Sequence, residues 1–316
     1  MFLTSARLAV LARLAGVFLC LSLTVALPSH AADLAPTKTD PHPETLRVMT
    51  YNIWYVFAKG KQQTEGKAWI NSQAPDVVAL QELTNIKPQK LQELASGWGH
   101  KHSSLLKTSG FSVGLTSRWQ IEVVTKKIKG MHHGYLHAKT GGVHYFVVHL
   151  SPFKWKVRQA EAEILLAEMT PLIKSGQKVI VLGDFNTVSP ADKQWLESDK
   201  NAEQLASKKK SDAKHGHVQN LKNGAFDYEV MEKFFRGGLI DTADGHLAKT
   251  FAARLSIPTG IWTDKKSAVK LGERIDFILA SKNLQQRVKK CQIVTAGIVN
   301  QISDHYPVIT DFSLTN

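Results

Sequence analysis

The chain has 316 residues, of which 43% are hydrophobic, 21% charged and 8% aromatic. Such proportions belong to a globular protein and exclude a disordered chain, a collagen-like repeat or a disulfide scaffold. The formal net charge of +13 admits nucleic acid, anionic lipid or acidic polysaccharide as partners, and equally a surface kept soluble by lysine.

Arg7 and Arg13 precede an apolar run from Leu14 to Leu27, then Pro28 and small residues around Ala31 and Ala32. This is the three-part layout of a secretory signal peptide, expected to occupy residues 1–32. The run is shorter than the roughly 20 apolar residues a membrane span needs, and no second stretch approaches that length. The expected product is exported, periplasmic or extracellular, and a soluble monomer without an obligate protein partner. Removal of Cys20 leaves Cys291 alone, so no intramolecular disulfide is possible. Residues 33–45 are polar and proline-rich and read as a flexible leader.

The folded domain is expected over residues 46–316. Short β-type runs recur at Leu46–Tyr51, Asp76–Leu80, Ser112–Thr116, Val143–His149, Lys178–Leu182, Arg274–Leu279 and Val308–Phe312. Val157, Ala160, Ile164 and Ala167 fall at helical spacing in a stretch from Lys156 to about Ile173, and Tyr228, Met231 and Phe235 repeat that spacing. The glycine-punctuated runs Gly110–Trp119, Ile121–Ile128 and Gly134–His149 read as antiparallel hairpins, so the sheet should be mixed. Residues 201–223, centred on Lys208-Lys209-Lys210, read as a polar surface insertion. His132, His133, His137 and His144 are too irregularly spaced, with no cysteine or paired acid, to read as a zinc site.

Polar residues stand at the ends of these strands: Asn52, Gln81-Glu82, His149, Asp184 with Asn186, and Asp304-His305. Singly, each could be a turn former or a solvated strand end. Together, strand-end polar groups of one chemical character converge on a crevice in an α/β sheet.

Six segments taken in order resemble the signature blocks of the endonuclease/exonuclease/phosphatase superfamily. They are Met49-Thr50-Tyr51-Asn52-Ile53-Trp54, Asp76-Val77-Val78-Ala79-Leu80-Gln81-Glu82, Val148-His149-Leu150, Gly183-Asp184-Phe185-Asn186, Arg274-Ile275-Asp276-Phe277 and Ser303-Asp304-His305. The superfamily has the DNase I-like fold and includes abasic-site endonucleases, neutral sphingomyelinases and inositol-polyphosphate phosphatases. The resemblance implies a four-layer α/β/β/α sandwich of two mixed sheets, an α+β arrangement, with the site at one rim. It also implies a divalent-metal-dependent phosphoesterase.

Phosphoester hydrolysis needs charge neutralised on the phosphate, a positioned water and help for the leaving alkoxide. A hard cation held by one or two carboxylates fits, with Mg²⁺ expected and Mn²⁺ or Ca²⁺ as alternatives. By resemblance, Glu82 is the main metal carboxylate, supported by Asn52 and Asp304. Asp184 and Asn186 hold the attacking water and a phosphate oxygen, His305 is oriented by Asp276, and His149 binds or protonates on the opposite side. The proton acceptor is left between Asp184 and the Asp276–His305 pair, with His305 favoured. Trp54 stands where some nucleases carry a second acid, which speaks against a second firmly bound metal while leaving the number of metals open. Trp54, Tyr55, Phe153 and Trp155 could stack on a base, meet a lipid or be core.

The leading expectation is therefore an exported, DNase-like endonuclease acting on DNA or RNA. The alternative is a sphingomyelinase-like phospholipid hydrolase meeting a phospholipid surface through Trp54–Phe57, with a non-catalytic binding domain behind both.

Overall fold

The computed structural model describes residues 44–247, 250–262 and 271–314. The signal-peptide segment and nearly all of the leader lie outside these residues. Two six-stranded sheets face each other. In the first, the strand order is β11 (Val288–Ile293), β12 (Val308–Ser313), β1 (Thr45–Asn52), β2 (Val77–Gln81), β4 (Gly114–Ser117), β3 (His102–Leu105). The second runs β5 (Glu122–Lys127), β6 (Tyr135–Thr140), β7 (Val143–His149), β8 (Val179–Asp184), β10 (Asp276–Ser281), β9 (Leu239–Asp241). Only β1–β2 and β7–β8 pair in parallel; the other neighbours are antiparallel, so both sheets are mixed as expected.

Strand alternation builds the layers, because successive side chains point to opposite faces. Leu136, Ala138, Tyr145, Val147, Ile180, Leu182 and Ile278 of the second sheet join one core with residues of the first. The opposite faces take helices. Ile70 of α1 (Gln63–Gln73) and Leu91 and Leu94 of α2 (Pro88–Ser96) pack on the first sheet. α3 (Trp155–Lys174) and α5 (Glu229–Arg236) cover Phe146, Val148, Val181 and Leu279 of the second. α5 turns Val230, Met231 and Phe234 inward and leaves Phe235 only partly buried, a face rotated from the Tyr228/Met231/Phe235 spacing.

The lysine-rich insertion is more integrated than a solvated surface loop. Its core is α4 (Ala202–Lys214), whose Asp212 carboxylate accepts from the N–H groups of Asn220 and Leu221 at 3.0 and 2.8 Å. The fully buried Arg158 of α3 donates to Asn220 Oδ1 at 2.8 Å and to the Ser151 carbonyl at 2.9 Å. Lys208 Nζ lies 2.9 Å from Glu273, whose side chain is buried, so this lysine ties the insertion to the segment leading into β10. Lys209 and Lys210 remain exposed.

After β1 the backbone takes an uncommon path. Trp54, Tyr55, Val56, Phe57, Ala58 and Lys59 all have φ between 38° and 64°, a left-handed stretch without glycine. Each such residue costs roughly 1–2 kcal/mol. Burial of Val56 and Phe57 offsets part of this, at roughly 1.5–3 kcal/mol for a fully buried side chain. Phe57 lies edge-on to Tyr51, and α1 approaches it through Gly66, where a Cβ would collide with the Phe57 ring.

Two predictions test this packing. Ala58→Gly relieves one left-handed position while removing only a methyl group, and should stabilise the fold by about 1 kcal/mol in chemical denaturation; a loss of stability would contradict the account. His137 Nε2 lies 3.0 Å from His144 Nδ1, and burial pushes both pKa values down, His137 to about 4 with His144 adding to the effect. These rings stay neutral when folded but protonate when unfolded below about pH 6.5, so the unfolded state binds more protons there. The melting temperature should fall as pH drops from about 6.5 towards 4, and His137→Phe should flatten the slope.

Candidate active site

Both sheets deliver their polar strand ends to one rim. Parallel pairing brings the C-terminal ends of β1 and β2, and of β7 and β8, to the same side. Antiparallel pairing brings the start of β10 there, with Asp276 opposite Asp184, and the approach to β12 behind Asp304 and His305. Gly183 matters locally. With φ at 143° and no room for a Cβ against the Val148 carbonyl oxygen, it lets β8 run close to β7 just before Asp184.

Asn52 is fully buried at the centre. Its Nδ2 lies 3.2 Å from Asp184 Oδ2, 3.4 Å from Glu82 Oε1 and 3.4 Å from His305 Nε2. The Ser303 hydroxyl donates to the Asn52 carbonyl at 2.6 Å, and the Trp54 N–H donates to Asn52 Oδ1 at 3.1 Å. His305 Nδ1 and Asp276 Oδ2 are 2.8 Å apart. Asp184 Oδ2 sits between two imidazoles, 3.4 Å from His149 Nε2 and 3.8 Å from His305 Nε2. Asp184 Oδ1 accepts the Asn186 N–H at 2.8 Å, and Asn186 Nδ2 donates to the Leu150 carbonyl at 3.0 Å. All eight residues singled out from sequence therefore meet at this rim. Glu82 and Asn186 hold left-handed φ values of 58° and 49°, the kind of backbone cost that positions functional side chains.

Burial and crowded charge set the proton affinities. Burial raises the Asp184 pKa and the nearby Asp276 charge raises it further, against the pull of His305. Burial opposes a charge on His305, but Asp276, by charge and hydrogen bond, together with Asp184 and Asp304, outweighs it and holds the ring protonated. Glu82 is raised by burial and by Asp304, with His305 and Asn52 pulling the other way. His149 is driven well down by burial and then by His133 and His305, so it is neutral.

The acids also leave three atoms in need of a partner. Glu82 Oε2, Asp304 Oδ1 and Asp276 Oδ1 are buried without a hydrogen bond. The companion oxygens are occupied, Glu82 Oε1 by Asn52 and Asp304 Oδ2 by the Trp262 indole N–H at 3.0 Å. Glu82 and Asp304, near enough for the Asp304 charge to raise the Glu82 pKa and with one free oxygen each, suit a hard divalent cation, which takes oxygen ligands and removes their repulsion. Asn52 presents its amide nitrogen and orients the Glu82 carboxylate. Among the described residues, ligand atoms of Asp184, Asp276 and His305 also lie within 4.8 Å of one another. There His305 Nδ1 and Asp276 Oδ2 satisfy each other, while Asp276 Oδ1 has no hydrogen bond.

Aromatic rings surround this floor and frame an open cavity of about 290 Å³. Trp54 and Trp262 meet edge to face at 5.0 Å, Tyr55 and Phe111 at 5.1 Å, and His132 and Phe153 at 5.2 Å. His133 bridges Phe111, at 5.5 Å, to His132 and His149, each at 4.3 Å. Burial, then His132 and Lys107, hold the His133 pKa down to about 3. Trp155 lies elsewhere, with Lys156 and Lys222 each 5.3 Å from its ring. Val56 and Phe57 point into the core, so the run Trp54–Phe57 is not an exposed apolar edge.

Three contributors carried no sequence signal. Trp262 reaches Asp304 across 42 residues. Phe111 lies in a loop between β3 and β4. Ser256 accepts the N–H groups of Ile275 and Asp276 at 2.9 and 3.1 Å, and its carbonyl accepts the Tyr306 N–H at 2.7 Å, so it joins the two segments of the Asp276–His305 pair. An alternation of polar and apolar residues cannot report such long-range contacts.

The orphaned oxygens generate a test with a structural readout. Glu82→Gln removes one of two mutually repelling carboxylates and one cation ligand. It should raise the melting temperature in EDTA and abolish the rise that Mg²⁺ produces in the unsubstituted protein. An undiminished Mg²⁺ effect would take Glu82 out of the cation site.

Solved structures share this architecture. An AP endonuclease from Archaeoglobus fulgidus is 19% identical with a TM-score of 0.60, covering 85% of this chain and 100% of its own. The 3′ phosphatase NExo from Neisseria, bound to a product DNA hairpin, is 19% identical with a TM-score of 0.59, covering 84% and 99%. An endonuclease/exonuclease/phosphatase from Beutenbergia cavernae is 18% identical with a TM-score of 0.58, covering 87% and 72%. No curated protein matches the chain. The fold is DNase I-like, and the family model for the Endonuclease/Exonuclease/phosphatase family matches residues 49–305, which include every residue of the rim site. The chain is a member of that family of phosphoesterases.

Proposed function

We propose that the chain is an exported, Mg²⁺-dependent phosphodiesterase that hydrolyses nucleic acid. The observation that carries the reading is the buried, orphaned oxygen pair of Glu82 and Asp304 beside the Asp276–His305 hydrogen bond. The first suits a cation and the second a cationic clamp for a phosphate oxygen.

Glu82 and Asp304 would hold the cation, which when bound neutralises phosphate charge and offsets that of the departing oxygen. Asp184, its carboxyl made more basic by burial and by Asp276, accepts the proton of the attacking water. Asn186 fixes that carboxylate through its N–H. His305, kept protonated by Asp276, binds a phosphate oxygen. This assigns the proton to Asp184 in place of the His305 pair favoured by sequence. His149, neutral and with Nε2 3.4 Å from Asp184 Oδ2, would bind the phosphate from the other side. The DNA bound to the Neisseria phosphatase, the net basic charge and the exposed Lys209 and Lys210 support nucleic acid. The inward turn of Val56 and Phe57 means that Trp54–Phe57 is not the apolar edge the phospholipid alternative called for. Export rests on the layout of residues 1–32.

Supercoiled plasmid incubated with the purified protein and Mg²⁺ should be nicked, with nicking lost in EDTA and reduced at least 100-fold in Asp184→Asn. Asp276→Asn and His305→Gln should each lower turnover strongly, and the double variant little more, because they act as one unit. Additive losses would separate their roles. Cleavage of neither plasmid nor single-stranded DNA by a protein that hydrolyses bis-p-nitrophenyl phosphate would overturn the nucleic-acid assignment.

A further inference from the structure

We propose that the aromatic rim of the cleft is a stacking site for unpaired nucleobases, so that the substrate is single-stranded nucleic acid. The inference rests on the phosphodiesterase reading above and narrows its substrate.

The rings are placed for this. Tyr55, Phe153 and Trp262 are 38%, 38% and 58% exposed, unusual for side chains of this size; Tyr55 and Phe153 open onto the same cavity as Asp184 and His305, and Trp262 packs against Trp54, which also lines it. Isolated exposed aromatics need no explanation, but these belong to a nearly continuous sequence of ring contacts around one catalytic floor. The Trp54–Trp262 pair lies on the Asp304 and His305 flank, through the Trp262 hydrogen bond to Asp304. Phe153 and His132 lie on the His149 flank, through His133. A phosphate on the floor thus has a ring on either side, at the places where its two neighbouring bases would fall.

Charge agrees with the shape. Lys59 Nζ lies 5.2 Å from the Trp54 ring centroid, and Lys107 is close enough to His132 and His133 to add to burial in disfavouring their protonation. Cations interleaved with aromatic faces form the usual platform for single strands, the rings taking bases and the cations flanking phosphates. Interspersed histidines and lysines are a poor match for acyl chains, which call for continuous aliphatic surface. In a duplex the base faces are already covered by their neighbours, so the rim would have nothing to stack on.

The experiment compares kcat/KM of the purified protein with Mg²⁺ on three oligonucleotides. One is a single strand, one is the same strand in a duplex, and one is a single strand whose nucleotides flanking the scissile phosphate carry tetrahydrofuran in place of base and sugar. The base-bearing single strand should be favoured over each of the others by about tenfold or more. Phe153→Leu and Tyr55→Leu keep apolar bulk but remove the planar face, and each should shrink the preference for base-bearing over base-free strand severalfold, whereas Phe153→Trp should retain it. Equal cleavage of duplex, or of the base-free strand, would overturn stacking while leaving the nuclease reading intact. A base preference that survives both leucine variants would remove this rim as its source. Cleavage of none of the three would end the nucleic-acid reading and this inference with it.

Discussion

The site depends on one hydrogen bond between the two sheets. Asn52 ends β1 of the first sheet, Asp184 ends β8 of the second, and the 3.2 Å contact between them is buried on both sides. Because strand ends are fixed by ladder register, a shift of one residue in either sheet would turn these side chains to the opposite face. The same Asn52 amide faces Glu82 and His305, so one small side chain sets the spacing of an acid from each sheet and of the histidine. The core between the sheets therefore serves the chemistry chiefly by holding this register.

That arrangement concentrates charge that the protein alone does not neutralise. Asp184, Asp276, Glu82 and Asp304 crowd one protonated histidine, and burial denies them water. Arg274 shows what a fully compensated site looks like: it lies 2.7 Å from Asp192 and 2.5 Å from Asp241, two residues before Asp276, and its charge is matched on both sides. The rim is left uncompensated at Glu82 Oε2, Asp304 Oδ1 and Asp276 Oδ1. A structure that pairs Asp192 and Asp241 but leaves three acids at the cleft with an unpaired oxygen is poised for a ligand that brings positive charge.

Much of this was legible in the sequence because it is carried by strand ends. Asn52, Glu82, His149 and Asp184 each follow an apolar run, and the long helix was expected within a residue of Trp155–Lys174. The missed strands explain themselves. β11 carries Lys289 and Lys290 on an edge, β9 has three residues, and β3 is the four-residue edge run His-Ser-Ser-Leu, so none offers a buried apolar alternation. The left-handed stretch Trp54–Lys59 contains none of the glycines that signal such backbone, and is held by tertiary burial of Phe57. The insertion hid its contacts for a similar reason, since Lys208 and Asp212 read as solvated charges until Glu273 and the Asn220–Leu221 backbone are brought beside them. Trp262 and Phe111 are rim residues only because separate loops meet there.

In the proposed function a divalent cation joins Glu82 to Asp304. The most direct measurement is anomalous diffraction from crystals of the protein soaked in Mn²⁺. The account predicts a single strong peak within bonding distance of Glu82 Oε2 and Asp304 Oδ1, with the Asp276–His305 hydrogen bond unbroken. A peak between Asp184 and Asp276, with His305 turned away from its partner, would contradict it and make the trio around Asp184 the metal site.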